Sequence, residues 1–236
     1  MCGRFSMAFT GDDLEERFRA AGAAHAQVAP RYNIAPAQDA PVVVLRRGGR
    51  RLERFRWGLV PPWADGPGTG SRMINARAES VHETNAFRAA FKRRRCLVPA
   101  SGFYEWKMEQ GGRRKTPFHF FLDDHRLFAF AGLWETWSPG SGGQALHSFT
   151  IITTGANDTV RPVHHRMPAI LAPENEAAWL NPEVDDAQAL RAMLGPYPPA
   201  AMGAYPVAAL VNSPKNDAPE CIRPAEPPQQ GDLFGQ

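Results

Sequence analysis

The stretch Arg95-Cys96-Leu97-Val98-Pro99-Ala100-Ser101-Gly102-Phe103-Tyr104-Glu105-Trp106-Lys107-Met108 reads as two strands, over 96–99 and 103–108, with the small Ser101-Gly102 pair between them. Three more strands are expected downstream, over 117–122, 127–133 and 147–154. Gln110-Gly111-Gly112 and Asp123-Asp124-His125 supply the turns. Upstream, 41–45 is a β-branched strand that Gly48-Gly49 turns into 52–57, where Phe55 and Trp57 alternate with Arg54 and Arg56. A late strand is expected over 206–211. Segments 31–36 and 58–71 read as loops, because Pro36 biases Ala35 away from helix and the second segment is dense in Pro and Gly.

Helices flank these strands. Thr10 and Asp13 form a start signal, with Leu14, Phe18 and Ala21 on one face and Gly22 as the stop. A short helix over 84–91 turns Phe87 and Phe91 inward and runs into Lys92-Arg93-Arg94-Arg95, a solvated helix end on dipole grounds. Two more helices are expected over 173–180 and 185–194. Strands in the middle with helices around them argue an α+β fold: one domain, 1–223, with a curved, largely antiparallel, barrel-like sheet. Residues 224–236 are rich in Pro, Gln and Gly with little to bury, so a disordered tail is expected there.

A chain of 236 residues at 43% hydrophobic content is ample for a sizeable core. It shows no secretory h-region and no apolar run of bilayer length, which favours a soluble protein with no membrane partner. Cys2, Cys96 and Cys221 are odd in number and widely spaced. They form neither a disulfide framework nor a metal-ligand pair, which favours a reducing cytoplasm. The net charge is +3, and only Lys92, Lys107, Lys115 and Lys215 of the 27 basic side chains are lysines. Arginine suits phosphate binding and base stacking, although a GC-rich genome produces the same bias.

The chemistry begins at Met1-Cys2-Gly3-Arg4-Phe5. Once Met1 is removed, Cys2 carries a free α-amine, of ordinary pKa about 8, and a thiol, about 8.5. The amine attacks an aldehyde to give an imine, and the thiol closes a five-membered thiazolidine. An internal cysteine has no free amine and cannot do this. Four further segments carry polar groups. In Met73-Ile74-Asn75-Ala76-Arg77, strand geometry puts Asn75 and Arg77 on one side. Glu105 lies among aromatics, where burial raises a carboxyl toward the range useful in proton transfer. Val163-His164-His165-Arg166-Met167-Pro168 carries two histidines that point apart on regular backbone, so one faces a given site. Asn212-Ser213-Pro214-Lys215-Asn216 is a polar loop. Trp63 is the one large aromatic of the 58–71 loop.

These segments together resemble the SOS response-associated peptidase (SRAP) family, which processes abasic (AP) sites. The likeness rests on MCGRF, YNIAP at 32–36, WGLVPPW at 57–63, INAR at 74–77, RCLVPASGFYEW at 95–106 and HHRMP at 164–168, and it spans nearly everything to about Pro224. The resemblance implies Cys2, Asn75, Glu105 and His164 as the chemical residues, with no metal and no cofactor. It implies a monomer with a basic groove for single-stranded DNA containing AP sites, acting in the cytoplasm on the nucleoid of a bacterium. Arg4 and Arg77 are then assigned to phosphates, and Trp63 and Trp106 to stacking on flanking bases. The implied product is a thiazolidine DNA–protein crosslink, reversible through Glu105. AP-lyase activity and removal of the protein's own Met1 are side activities of the same centre. The family often carries aspartate after the motif histidine, whereas this chain has His165; His164 is chosen by its place in the motif. Two rival functions remain: an N-terminal-nucleophile amidohydrolase or peptidase, and a non-catalytic single-stranded DNA-binding module.

Overall fold

The computed structural model describes residues 2–109, 111–112, 114–140 and 142–226. Its strands are Phe5–Met7 (β1), Ala20–Ala21 (β2), Arg31–Ile34 (β3), Asp39–Arg46 (β4), Gly49–Trp57 (β5), Asn75–Arg77 (β6), Arg95–Ala100 (β7), Gly102–Met108 (β8), Lys115–Leu122 (β9), Phe128–Trp137 (β10), Leu146–Gly155 (β11), Arg166–Pro168 (β12) and Met202–Pro206 (β13). The α-helices are short: Gly11–Phe18 (α1), Arg88–Arg93 (α2), Glu176–Leu180 (α3) and Ala187–Ala192 (α4).

Strands β5, β4, β7, β10 and β11 pair in that order, antiparallel, and β11 returns to β5 in parallel through Ser148↔Arg56 and Phe149↔Trp57. The ring is a closed five-stranded barrel. A second sheet, β13-β9-β8-β1-β3, is antiparallel throughout and packs against it. Strands between two layers are covered on both faces, which is why β7 is buried at every position and β10 from Phe128 to Leu133. The seam is aromatic. Phe5 meets Trp57 at 5.2 Å and Phe130 at 5.9 Å, and Phe103 stacks on Phe120 at 5.0 Å. Each such ring contributes about 1.5–3 kcal/mol by burial, and Phe5 anchors the N-terminus to both layers. The Gly48-Gly49 hairpin turn forms as expected, with both residues at positive φ.

The expected α+β architecture is present, with several local differences. Residues Arg31–Ile34 form a strand, not a loop. Proline 36 pushes its predecessor toward extended backbone, which a strand accepts as readily as a loop. Helix α1 has the expected capping box between Thr10 and Asp13. It stops before Gly22, at Arg19, whose left-handed backbone (φ 48°) donates to the Glu15 and Glu16 carbonyls. Ala20 and Ala21 then pair with β5, and Ala21 is exposed. The helix expected over 84–91 is a turn followed by α2, with Phe87 and Phe91 buried as expected. The one expected over 173–180 is a 3₁₀ turn followed by α3, and α4 is a shortened form of 185–194. The late strand ends at Pro206, and 209–212 is a 3₁₀ turn. Its buried apolar residues are Val207 and Val211, a one-turn spacing rather than an alternation.

The basic run is also not uniformly solvated. Arg95 is 3% exposed and donates to the carbonyls of Phe91, Lys92, Trp179, Asn181 and Val184, where the ends of α2 and α3 converge. Arg94 pairs with buried Glu135. Pro224 bridges to Val207, and Ala225 N–H donates to Pro206 O, so the start of the expected tail packs on the domain. Residues 227–236 lie outside the described residues.

Candidate active site

Strand β1 sets the position of the N-terminus. It lies between β3 and β8, with Phe5 opposite both Ile34 and Phe103. The Tyr104 N–H donates to Arg4 O at 3.0 Å. Below it, Ser6 Oγ hydrogen-bonds Ser101 Oγ (2.9 Å) and His119 Nε2 (3.0 Å). A Cβ on Gly102 would run into that imidazole, so the motif glycine is where the His119 ring passes. Burial pushes His119 down to about 3, so it stays neutral and acts as a buried brace.

Three residues upstream of Phe5, Cys2 is fully buried. Burial pushes its thiol well up, and Glu105 pushes the same way; Sγ lies 3.8 Å from Arg4 O. Asn75 reaches Cys2 from β6, which pairs in parallel with β11 at Ile151. Its Nδ2 donates to Cys2 O at 2.8 Å, while Oδ1 is buried without a hydrogen-bond partner among the described residues. Trp57, packed on Phe5, donates Nε1 to Ile74 O at 2.9 Å and so sets the Asn75 segment.

Glu105 lies on β8 opposite Phe118 and is 4% exposed. Burial pushes its carboxyl from 4.5 up to about 7. His164 precedes β12, and its Nδ1 sits 3.9 Å from Glu105 Oε1. Burial pushes His164 down, partly offset by the Arg166 backbone. Nδ1 lies 3.0 Å from Arg166 N and 3.1 Å from Arg166 O, so it accepts from the N–H in one tautomer and donates to the carbonyl in the other. His165 is exposed and stacks on His164 at 4.4 Å. The histidine that faces Glu105 is therefore His164. A carboxyl raised to about 7, an imidazole whose pKa burial lowers and a clamped Cys2 backbone thus lie together, an arrangement able to exchange protons beside the cysteine.

Across residues 1–214 the chain matches the family model for SOS response associated peptidase (SRAP). The chain belongs to this family. Among SRAP relatives it is similar to abasic site processing protein YoqW of Bacillus subtilis (strain 168), at 44% identity over 94% of this chain and 99% of that protein. It is also similar to abasic site processing protein HMCES of Gallus gallus, at 33% identity over 84% of this chain and 67% of that one. A crystal structure of a protein from Bacteroides thetaiotaomicron superposes with a TM-score of 0.85 at 27% identity, covering 95% of this chain and all of that one.

The remaining expected contact residues of this SRAP chain divide in two. Arg77 is exposed on the same strand as Asn75, and Trp63 is 59% exposed on its loop. Arg4 and Trp106 are largely engaged within the protein. Arg4 Nη1 donates to Asn33 Oδ1 and Val211 O, both at 2.7 Å, and its guanidinium lies 5.8 Å from the Trp106 ring. Trp106 Nε1 donates to Asn212 Oδ1 at 2.8 Å. The motif YNIAP had no assigned chemistry, yet Asn33 ties this corner together. Fully buried, it takes Arg4 on Oδ1 and donates Nδ2 to Val211, Ser213 and Asn216 carbonyls. Asp217 accepts from the Tyr32 and Asn33 N–H groups and from Arg31. The polar 212–216 loop is therefore a wall beside the N-terminus, a role that no local pattern around Asn33 signals.

Proposed function

We propose that this protein captures abasic sites in single-stranded DNA as a covalent crosslink through Cys2 after Met1 is removed. The observation that carries the reading is the grip of Asn75 on Cys2 O beside the Glu105–His164 pair. The ring-opened AP sugar offers an aldehyde at C1′, the electrophile that an N-terminal aminothiol suits. Protonated Glu105 delivers a proton to the sugar ring oxygen while neutral His164 takes one from the anomeric hydroxyl, which opens the hemiacetal. The Cys2 amine adds to C1′ and returns a proton to Glu105 while the His164 imidazolium protonates the new alkoxide. Glu105 then protonates the carbinolamine oxygen, which leaves as water, and takes back the iminium proton. The thiol then adds to the imine carbon; its proton ends on the ring nitrogen, passed through Glu105. Aldehyde, amine and thiol thus become one thiazolidine and one water. Asn75 Oδ1, with no partner of its own, accepts a hydrogen bond from the amine or a sugar hydroxyl and fixes the imine geometry.

Run backward, the Glu105 proton reopens the thiazolidine, which makes capture slowly reversible. The Schiff-base stage also permits β-elimination, an AP-lyase side activity; before it, water hydrolyses the Met1–Cys2 peptide bond at the same centre, which releases methionine and frees the Cys2 amine. Arg77, exposed on the Asn75 strand, and Trp63, exposed on its loop, are the DNA contacts best supported, whereas Arg4 is taken up by Asn33 and Val211. We take the working form to be a monomer acting on nucleoid DNA in the cytoplasm.

The test uses purified protein, Cys2→Ala protein and a single-stranded oligonucleotide with one AP site, resolved under denaturing conditions. The expected result is a heat-stable protein–DNA band without added reductant that is lost in Cys2→Ala, with an intact mass equal to the sum less one water. No band from protein whose Met1 is shown to be gone would overturn the reading and favour a hydrolase or a plain DNA binder.

A further inference from the structure

Strands β4 and β5 and their turn carry Arg46, Arg47, Arg50, Arg51, Arg54 and Arg56. Only part of this charge is answered. Arg46 pairs with Glu53 at 2.7 Å, Arg54 with Asp39 at 3.4 Å, and Arg50 lies 3.8 Å from Glu176, which already holds Arg17. Arg47, Arg51 and Arg56 have no ion-pair partner among the described residues. Arg51 and Arg54 line a cavity of about 560 Å³ together with His25, Arg46, Phe55 and His147. A second cavity of about 370 Å³ shares Arg54 and His147 and continues to Arg56. The two meet at Arg54 and His147 to make one groove, whose walls also carry Glu53 and Asp39.

The groove has a flat, aromatic side as well as charge. His147 is exposed, stacks on Phe55 at 5.1 Å and 23°, and is fixed by a 3.0 Å hydrogen bond to Thr136 Oγ1. Next to Arg56, Trp57 supports the Asn75 segment, so the groove's Arg56 end lies on the strand that braces the Cys2 centre. None of its lining residues belongs to that centre.

We propose that this groove binds single-stranded nucleic acid outside the segment held at Cys2, with arginines on phosphates and His147 stacked on a base. The proposal rests on the DNA reading above and extends its footprint. Arg51, Arg54 and Arg56 line the joined cavities, where guanidinium groups suit phosphates, and the cavities are of ligand size. A flat ring set among them is the arrangement that holds unpaired bases, whereas a duplex keeps its base faces stacked inside.

The test compares wild type with Arg51→Glu and His147→Ala, each alone, on an AP-free strand of about twenty nucleotides and on AP-site strands of about five. On the long strand Arg51→Glu should bind about tenfold more weakly, and the slope of log K against log salt should fall by about 0.7. His147→Ala should lose about fivefold or more with the slope unchanged. Both variants should capture the short AP strand at the wild-type rate. Wild-type affinity and slope for both variants on the long strand would overturn the proposal. So would binding of AMP or inorganic phosphate that abolishes any dependence on strand length, which assigns the groove to a small anion. If melting shows Arg51→Glu misfolded, Arg51→Gln is read in its place, with a smaller loss expected. Loss of capture in every protein with length-dependent binding intact would sink the Cys2 chemistry and leave the groove standing.

Discussion

Replacing Glu105 by Gln keeps the shape of the side chain and removes its charge, which separates the stability of the site from its chemistry. Burial holds the Glu105 carboxyl at about 7 against an ordinary 4.5. Its folded value is raised, so the native state binds the proton more tightly than the unfolded chain. The carboxyl is therefore harmless to stability below about pH 4.5. As pH rises the unfolded chain ionises first, and the disadvantage is complete once pH passes the folded value near 7. At about 1.36 kcal/mol per pH unit between the two values, the penalty is about 1 kcal/mol at pH 5 and approaches about 3 kcal/mol at pH 8. Glu105→Gln should escape it, so the variant should melt above wild type by roughly 6–12 °C at pH 8 and by a few degrees at pH 5. Thermal unfolding by circular dichroism across pH 5–8 reads this gap. In the same protein the rate of AP-site capture at pH 7 should fall about 10²–10⁴-fold, because the proton donor is gone. A gap that stays constant with pH would show that Glu105 is an ordinary ionised carboxylate and would refute the reasoning. A gap of opposite sign would show that pairing with His164 outweighs burial.

Other expectations follow from the same geometry. His164→Ala should slow capture about 10²-fold or more while His165→Ala stays within a few-fold of wild type, measured by single-turnover crosslinking; the reverse order would mean that the exposed ring is the working one. Asn75→Ala frees the Cys2 carbonyl and should slow crosslinking by about 10²-fold with little change in affinity for AP-free DNA; equal losses in both would make Asn75 a binding residue. Arg95→Met strips buried carbonyls at the ends of α2 and α3 of their donor and should cost about 3 kcal/mol or more in chemical denaturation; a loss under 1 kcal/mol would mean that water replaces the guanidinium.

The strands of the two layers could be read locally because their apolar runs are long, β-rich and bounded by turn residues. The Thr10–Asp13 capping box and the Gly48-Gly49 turn are likewise local chemistry. Sequence and structure part where local signals are compatible with two outcomes. Extended backbone before Pro36 serves a loop or an edge strand, and β3 exists because β1 is there to pair with it. Arg95 looked like a solvated charge because a run of four cations resembles a helix end. Its burial depends on α3 arriving from more than eighty residues away.

The candidate site shows the same division. The amino-acid sequence alone determines that position 2 is a cysteine next to Met1, and the motifs around Asn75, Glu105 and His164 mark them as polar groups in unusual settings. Their chemistry is decided only by the tertiary structure. The closed barrel and second sheet bring β1, β6, β8 and the turn before β12 together. Enclosure between these layers removes water from Glu105 and lifts its carboxyl, puts His164 rather than His165 beside it, and sets Asn75 on the Cys2 carbonyl. The buried knot at Asn33 is the clearest case. An amide's identity is local, but the four groups that give it a role belong to Arg4 and to a loop about 180 residues away. Solvent exclusion and long-range hydrogen-bond partners are properties of packing, so no window of sequence contains them.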